Sequence, residues 1–350
     1  MKFAFTEDQL AINEAAREML VETCTSASLR AMLKDERAVD EDRWRTICEM
    51  GLLGMLAPEA SGGMGLGLTD FIGIAEAAGY VALPEPLVEL AGITVPLLAR
   101  LRSQGFADTG DLLGAAMGGN FIALGHPANR LIANADSAIA FVLADGDDLH
   151  IVERLDSTLA RHDSFDPFRR LFAAQWTPSP SSHAGSGWGD TAERGAILAA
   201  AQMIGHAQRC IDISVAYAKD RNQFGKPIGS YQAVKHLIAN AQVKVEFARP
   251  VVHAAAAELP LGTLAAKARA AHAKIAAGEA AELAARTAVQ VHGAMGMTWE
   301  VDVHFFLKRA LALKSSWGPA AGHLATVMER IFTLPTGPDA TFASELSPAA

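Results

Sequence analysis

Arg221 enters the turn Arg221-Asn-Gln-Phe-Gly-Lys-Pro-Ile-Gly-Ser-Tyr-Gln232, and Gln290-Val-His-Gly-Ala-Met-Gly296 follows about one long helical hairpin later. A guanidinium is permanently charged and offers a fork of donors, so Arg221 could grip a phosphate or carboxylate. At a helix end it could equally do no more than complement the C-terminal dipole. Phe224 reads alone as plain core, and Gln232 as an exposed helical residue. Gly225, Pro227 and Gly229 interrupt two long apolar-periodic segments, which aims polar groups outward from a helix junction. Gly293 and Gly296 end a helix rather than link a strand to one, which separates them from the Rossmann dinucleotide fingerprint.

Other reactive side chains are less organised. The eleven histidines show no metal-ligand spacing, and His206 and His292 read as packing residues. Cys24, Cys48 and Cys210 are odd in number and widely spaced, which predicts reduced, mostly buried thiols rather than disulfides or a zinc site. Glu300 and Asp302 stand at a helix start, where capping and dipole compensation explain them.

A net charge of −9 excludes a generic nucleic-acid or anionic-membrane surface, while leaving room for a local basic patch toward a phosphorylated ligand. The N-terminal residues lack the apolar stretch of a signal peptide, and no apolar run approaches the roughly 20 residues of a bilayer span. A cytoplasmic location is expected, with small molecules or proteins as partners.

The elements that must position these residues follow from periodicity. With 350 residues, half of them hydrophobic, the chain can build more than one layer or domain. Thr6-Glu-Asp-Gln9 is a capping-box pattern ahead of helically spaced Leu10, Ala15, Met19 and Leu20. A second helix covers about 40–50, and a glycine-rich turn with Pro58 follows it. Thr69 can cap a third helix, and the apolar segment Leu87 to Leu101 continues beyond Pro84 and Pro86. Residues 1–103 thus read as an all-α domain.

From Asn120 onward, short apolar runs at Phe121–Leu124, Ser137–Leu143, Leu149–Val152 and Leu171–Trp176 predict strands. Pro178–Gly187 has the composition of a connector, so a small middle β domain with its connector spans 104–190. Three-four spacing then returns through Ile197–Ala218, Val234–Val252, Leu264–Val291, Val301–Lys314 and Ala320–Phe332, which predicts a helical bundle over 191–334. Pro335, Gly337 and Pro338 open a tail over 335–350 that is expected to be disordered.

Helix, then β, then helical bundle, with these two turns, resembles the acyl-CoA dehydrogenase family over nearly the whole chain. The expected fold is therefore α+β: an N-terminal helical domain, a shortened middle β domain and a C-terminal bundle of four to five helices. Met50-Gly-Leu-Leu-Gly-Met-Leu-Ala-Pro-Glu59 and Gly62-Gly-Met-Gly-Leu-Gly67 are similar to the family's N-terminal turn. The resemblance implies FAD as cofactor. It places Arg221 on the pyrophosphate of an FAD belonging to a neighbouring subunit, Phe224 near its adenosine half and Gln232 as a hydrogen-bonding residue. It places Gln290, Val291, His292, Gly293 and Ala294 at a close backbone approach to the adenine and ribose. Ala294 is a departure, since the family often has two adjacent glycines there.

The family's reaction removes a proton beside an acyl thioester and passes a hydride to flavin, which needs a carboxylate base. The common family position for that base falls here on Trp317, ahead of Gly318, and the alternative falls on Gly195. Neither accepts a proton, so no catalytic residue is assigned. Glu193 lies about 200° around the helix from Gly195 and should face the other way. Nothing between 105 and 135 matches the family's flavin-ring segment. The resemblance thus implies the shorter, base-lacking subunit of a heteromeric α2β2 enzyme of steroid side-chain breakdown. It would complete the FAD site of a longer, base-bearing partner, with an acyl-CoA as substrate and an electron-transferring flavoprotein as the implied acceptor. A homomeric enzyme with a displaced base and a non-catalytic scaffold relative are the alternatives.

Overall fold

The computed structural model describes residues 4–106, 109–129, 131–154 and 158–335. The expectation for the tail falls almost wholly on 336–350, outside the described residues. The N-terminal helical layer consists of α1 (Glu7–Thr23), α2 (Ser26–Lys34), α3 (Glu41–Glu49), α4 (Leu68–Tyr80), a short α5 (Leu87–Glu89) running through a π-helical turn at Leu90–Thr94, and α6 (Val95–Ser103). The capping box forms: Thr6 N–H donates to Gln9 Oε1 (2.9 Å) and Gln9 N–H to Thr6 Oγ1 (3.2 Å). Gln9 Nε2 also donates to Asp70 Oδ1 (2.8 Å), so the same cap ties α1 to α4. Thr69 does not cap α4; the helix starts at Leu68, and the Asp70 carboxylate accepts the Gly67 N–H (2.7 Å) in its place.

Helix α7 (Thr109–Met117) precedes the β layer and lies in a stretch where no helix was expected. Strands β1 (Ile122–Gly125), β3 (Ala140–Asp145), β4 (Asp148–Glu153) and β7 (His183–Ser186) form one sheet in the order β1-β3-β4-β7. Strands β2 (Leu131–Ala133), β6 (Leu171–Gln175) and β5 (Thr158–His162) form a second, in the order β2-β6-β5. Strand β7 corrects the reading of Pro178–Gly187 as pure connector. Its small and polar residues carry no apolar alternation, and its structure comes from pairing with β4. The two-residue Gly146-Asp147 turn between β3 and β4 does further work. Its Asp147 carboxylate accepts the backbone N–H groups of Gly187 (3.1 Å) and Gly189 (3.2 Å), fixing the first turn of the next helix.

That helix, α8 (Trp188–Asp220), runs for 33 residues without interruption. With α9 (Gln232–Glu258), α10 (Leu264–His292), α11 (Val303–Ser315) and α12 (Ala320–Thr333) it makes the bundle. The long α10 buries an alanine-rich surface, whose small side chains allow close helix approach. Helices α4 and α8 meet backbone to backbone. A Cβ on Gly79 would stand 2.0 Å from the Gln202 carbonyl oxygen, and one on Gly205 would stand 1.8 Å from that of Glu76. Larger residues at either glycine would pry the N-terminal layer off the bundle. Among the described residues no helix is long and apolar enough to cross a membrane.

Candidate functional site

Both motif turns lie at one end of the bundle. Helix α8 ends at Arg221, whose N–H donates to the Tyr217 carbonyl (2.9 Å). The chain then folds into a tight hairpin of β8 (Asn222–Gln223) and β9 (Lys226–Pro227), with Phe224 (φ 53°) and Gly225 (φ 81°) at its tip. Two central residues at positive φ are what a type I′ turn demands. Glycine accepts that conformation freely, whereas a bulky aromatic residue is strained by it. The hairpin returns through an Ile228 N–H bond to the Arg221 carbonyl (2.8 Å), and Tyr231 Oη donates to the Gln223 carbonyl (3.2 Å).

The second turn closes beside it. His292 stacks on Tyr217, with ring centroids 4.1 Å apart and planes 24° apart, and hydrogen-bonds the Ala288 carbonyl through Nδ1 (2.7 Å). Burial lowers the His292 pKa and so favours the neutral ring. Gly293 follows at φ 61°, ψ −139°, a conformation closed to other residues.

Of the residues singled out by sequence, Arg221, Phe224, Gln232, Gln290, Gly293 and Ala294 are exposed along this end, whereas the side chains of Val291 and His292 are buried beneath it. Arg221 makes no side-chain hydrogen bond or ion pair with a described residue. Phe224 is 92% exposed. A strained aromatic residue held in solvent beside an unmatched guanidinium is unfinished as a surface of this chain alone, and it fits a bound, phosphate-bearing aromatic group.

A second site lies at the other end of α8. Trp317 (φ 56°) and Gly318 (φ 102°) turn the chain between α11 and α12, and the Trp317 indole stacks on Trp188 with ring centroids 6.0 Å apart and an angle of 21°. It also covers Gly195, where a built Cβ would stand 2.3 Å from Trp317 Cδ2. The two positions that the resemblance assigns to a base therefore meet face to face, filled by an indole on a hydrogen atom. Lys274 Nζ donates to the carbonyls of Leu313 (3.0 Å) and Lys314 (2.9 Å), securing the end of α11 from which Trp317 projects. Burial pushes that amine down to about 8.

Trp317 walls a cavity of about 290 Å³ between the helical layer, the sheets and the bundle. Three acidic residues stand in or beside it. Glu85 holds Arg43 in a buried bidentate pair (2.6 and 2.9 Å). Asp166, fully buried, pairs with Arg309, which also donates to the Leu83 carbonyl (3.1 Å). Glu89, at the end of α5, makes no side-chain ion pair with a described residue, and burial raises its pKa. Neither spacing nor motif singles Glu89 out; only the fold brings it here.

The remaining candidates take ordinary roles. Glu193 pairs with Lys267 on α10 (3.4 Å), away from the Trp317 face of α8. Asp302 accepts from Arg30 (2.6 Å) instead of capping α11 through its side chain. His206 is wholly buried, hydrogen-bonded to the Phe306 carbonyl. The three thiols are free, with Cys24 and Cys210 buried, and no group of residues that could hold a metal exists among the described residues.

Residues 6–101 match the acyl-CoA dehydrogenase N-terminal domain and residues 188–332 the acyl-CoA dehydrogenase C-terminal domain. Acyl-CoA dehydrogenase IpdE2 of Mycolicibacterium smegmatis is 33% identical over 329 residues, covering 93% of this chain and 100% of the relative. Its counterpart in Mycobacterium tuberculosis is 35% identical over 305 residues, covering 87% and 91%. In fold, the chain is similar to the ChsE4-ChsE5 complex from Mycobacterium tuberculosis (TM-score 0.82, 22% identity, 96% of this chain and 100% of that one). It is similar also to the Tcur3481-Tcur3483 steroid ACAD (TM-score 0.80, 23% identity, 93% and 98%). The helical layer, small sheets and bundle are those of a flavin-dependent oxidoreductase. The chain belongs to the acyl-CoA dehydrogenase family. FAD is the cofactor of that family, and PigA, of the same fold, is solved as its FAD complex.

Proposed function

We propose that this chain is the base-lacking subunit of a heteromeric acyl-CoA dehydrogenase and completes the FAD site of a longer partner that carries the base. The observation that carries this reading is the length of α8. Gly195 and Arg221 are 26 residues apart on one uninterrupted helix, which at 1.5 Å per residue separates them by roughly 39 Å. The Arg221 turn therefore cannot serve the cavity of its own chain and presents its free guanidinium, strained Phe224 and Gln290–Ala294 to a neighbour. In the neighbour's site Arg221 would hold the pyrophosphate, and Phe224, Gln232 and the Gly293 turn the adenosine end. When bound, FAD supplies hydride acceptance from the carbon beta to the thioester.

This chain's own base positions hold Trp317 and Gly195, so proton removal falls to the partner. Assembly as α2β2 follows from two such exchanges. The ChsE4-ChsE5 complex and the steroid ACAD among its structural relatives support both the heteromeric arrangement and a steroid side-chain CoA ester as substrate, with an electron-transferring flavoprotein as electron acceptor.

The test is FAD stoichiometry and molar mass of the chain alone and co-expressed with a longer acyl-CoA dehydrogenase. One FAD per pair, absent from the lone chain and lost with Arg221→Ala, is expected. A yellow, self-assembled oligomer with one FAD per chain that acyl-CoA reduces would instead establish a homomeric enzyme. A colourless complex with every longer partner would leave the scaffold reading.

A further inference from the structure

Charge matching around the Trp317 cavity leaves two groups over. Arg43 is matched by Glu85 and Arg309 by Asp166. Arg169, which also lines the cavity, has no carboxylate within the 4.0 Å of an ion pair and donates only a long bond (3.4 Å) from Nη1 to the Ala312 carbonyl. Glu89 lines the same cavity, equally unpaired. Because burial favours the protonated acid at Glu89, the interior presents a guanidinium without a counterion and a carboxyl group able to donate. An uncompensated buried charge is costly, and an anion accepting from both groups would remove the cost.

The opposite side of the cavity has a different character. Trp188 and Trp317 stack there, with Phe121 and Leu124 beside them. A flat ring finds two indole faces, while a purely aliphatic chain would leave that shape unused. The volume of about 290 Å³ lies at the small end of ligand pockets, which run from roughly 300 to 1,000 Å³. One or two fused rings fit that space.

We propose that the cavity is a second binding site of this chain, for a compact ring-bearing carboxylate whose anion is held by Arg169 and Glu89 and whose ring lies against Trp188 and Trp317. The site is independent of FAD and of the partner's chemistry. Such a ligand would set the position of the Trp317 turn, and with it the start of α12, from inside the subunit.

The probe pair is 2-naphthoate and its neutral amide, titrated into the purified full chain by calorimetry, with tryptophan fluorescence followed in parallel. Naphthoate should bind at least about tenfold tighter than naphthamide, as a charge-assisted contact requires, and should quench the indoles. Arg169→Gln should erase that preference, whereas Glu89→Gln, which keeps a donor, should retain it. Equal affinity for acid and amide, unaltered naphthoate binding in R169Q, or no binding at about 1 mM, an affinity worth only about 4 kcal/mol, would each overturn the proposal. Should R169Q fail to fold, the acid-to-amide ratio on the unmodified chain decides the matter, and Trp317→Ala must weaken both probes. FAD content does not enter any of these readings, so their failure leaves the subunit assignment untouched.

Discussion

Trp317 and Gly195 fit as lock and vacancy: the indole occupies the space that any side chain at Gly195 would need, with the built Cβ only 2.3 Å from the ring. Loss of a base at both positions is thus one packing solution rather than two separate absences.

The first prediction concerns that pair. Gly195→Ala improves helix propensity by about 1 kcal/mol, yet it should lower stability by about 1–3 kcal/mol because the methyl group displaces the indole. In the Gly195→Ala/Trp317→Ala double variant the methyl has room, so urea unfolding of the full cycle should give a favourable coupling energy of about 0.5–3 kcal/mol. Strict additivity would show that the ring does not sit on the helix.

Phe224 should trade stability against cofactor retention. Phe224→Asn places a residue suited to the first position of a type I′ turn ahead of Gly225, and a 92% exposed ring surrenders no buried area. The isolated chain should gain about 1 kcal/mol from relieved backbone strain. The heteromer should lose FAD more readily on gel filtration. A variant neutral in both measurements would refute an interfacial role for the hairpin.

Acid should weaken the bundle through His206. Burial pushes its pKa down to about 4, whereas the unfolded chain takes up its proton near 6.5. Between those values the unfolded state binds more protons, so stability falls as pH drops from 6.5 toward 4, by on the order of 3 kcal/mol. Denaturant midpoints across that range, compared with His206→Gln, should isolate this slope, because the variant has nothing there to titrate.

Thiol reactivity should single out Cys48. Burial pushes Cys24 and Cys210 up to about 12, leaving almost no thiolate at neutral pH. Cys48 is raised too but is only partly buried. A disulfide reagent at pH 8 should label one thiol slowly in the folded chain and all three of its cysteines in urea.

Much of the fold is legible in the sequence because long helices advertise themselves. The three-four spacing of Val234 to Val252 and the Thr6 capping box are local signals, and the structure honours them. Strand β7 and helix α7 escape that reading, since His183–Ser186 owes its conformation to β4 and the stretch near 110 carries no long period. The turn at Arg221 is visible as punctuation, but its two-residue hairpin is not, because Phe224 violates the usual preference at positive φ. Least legible is the cavity. Glu89, Arg169, Arg309 and Trp317 come from four separate segments, and their pairings follow from three-dimensional charge matching that no spacing encodes.

The uninterrupted span of α8 also shapes what selection can do with this chain. Residues at its Trp188 end and residues at its Arg221 end share no contact surface, so substitutions at one end are invisible to the other. A lineage could forfeit proton removal, through changes at Gly195 and Trp317, while its far end stayed under selection for what it gives a neighbour. Duplicated genes seldom survive the loss of a reaction. A rod with two separately heritable ends allows it, and leaves the first end free to acquire a new ligand.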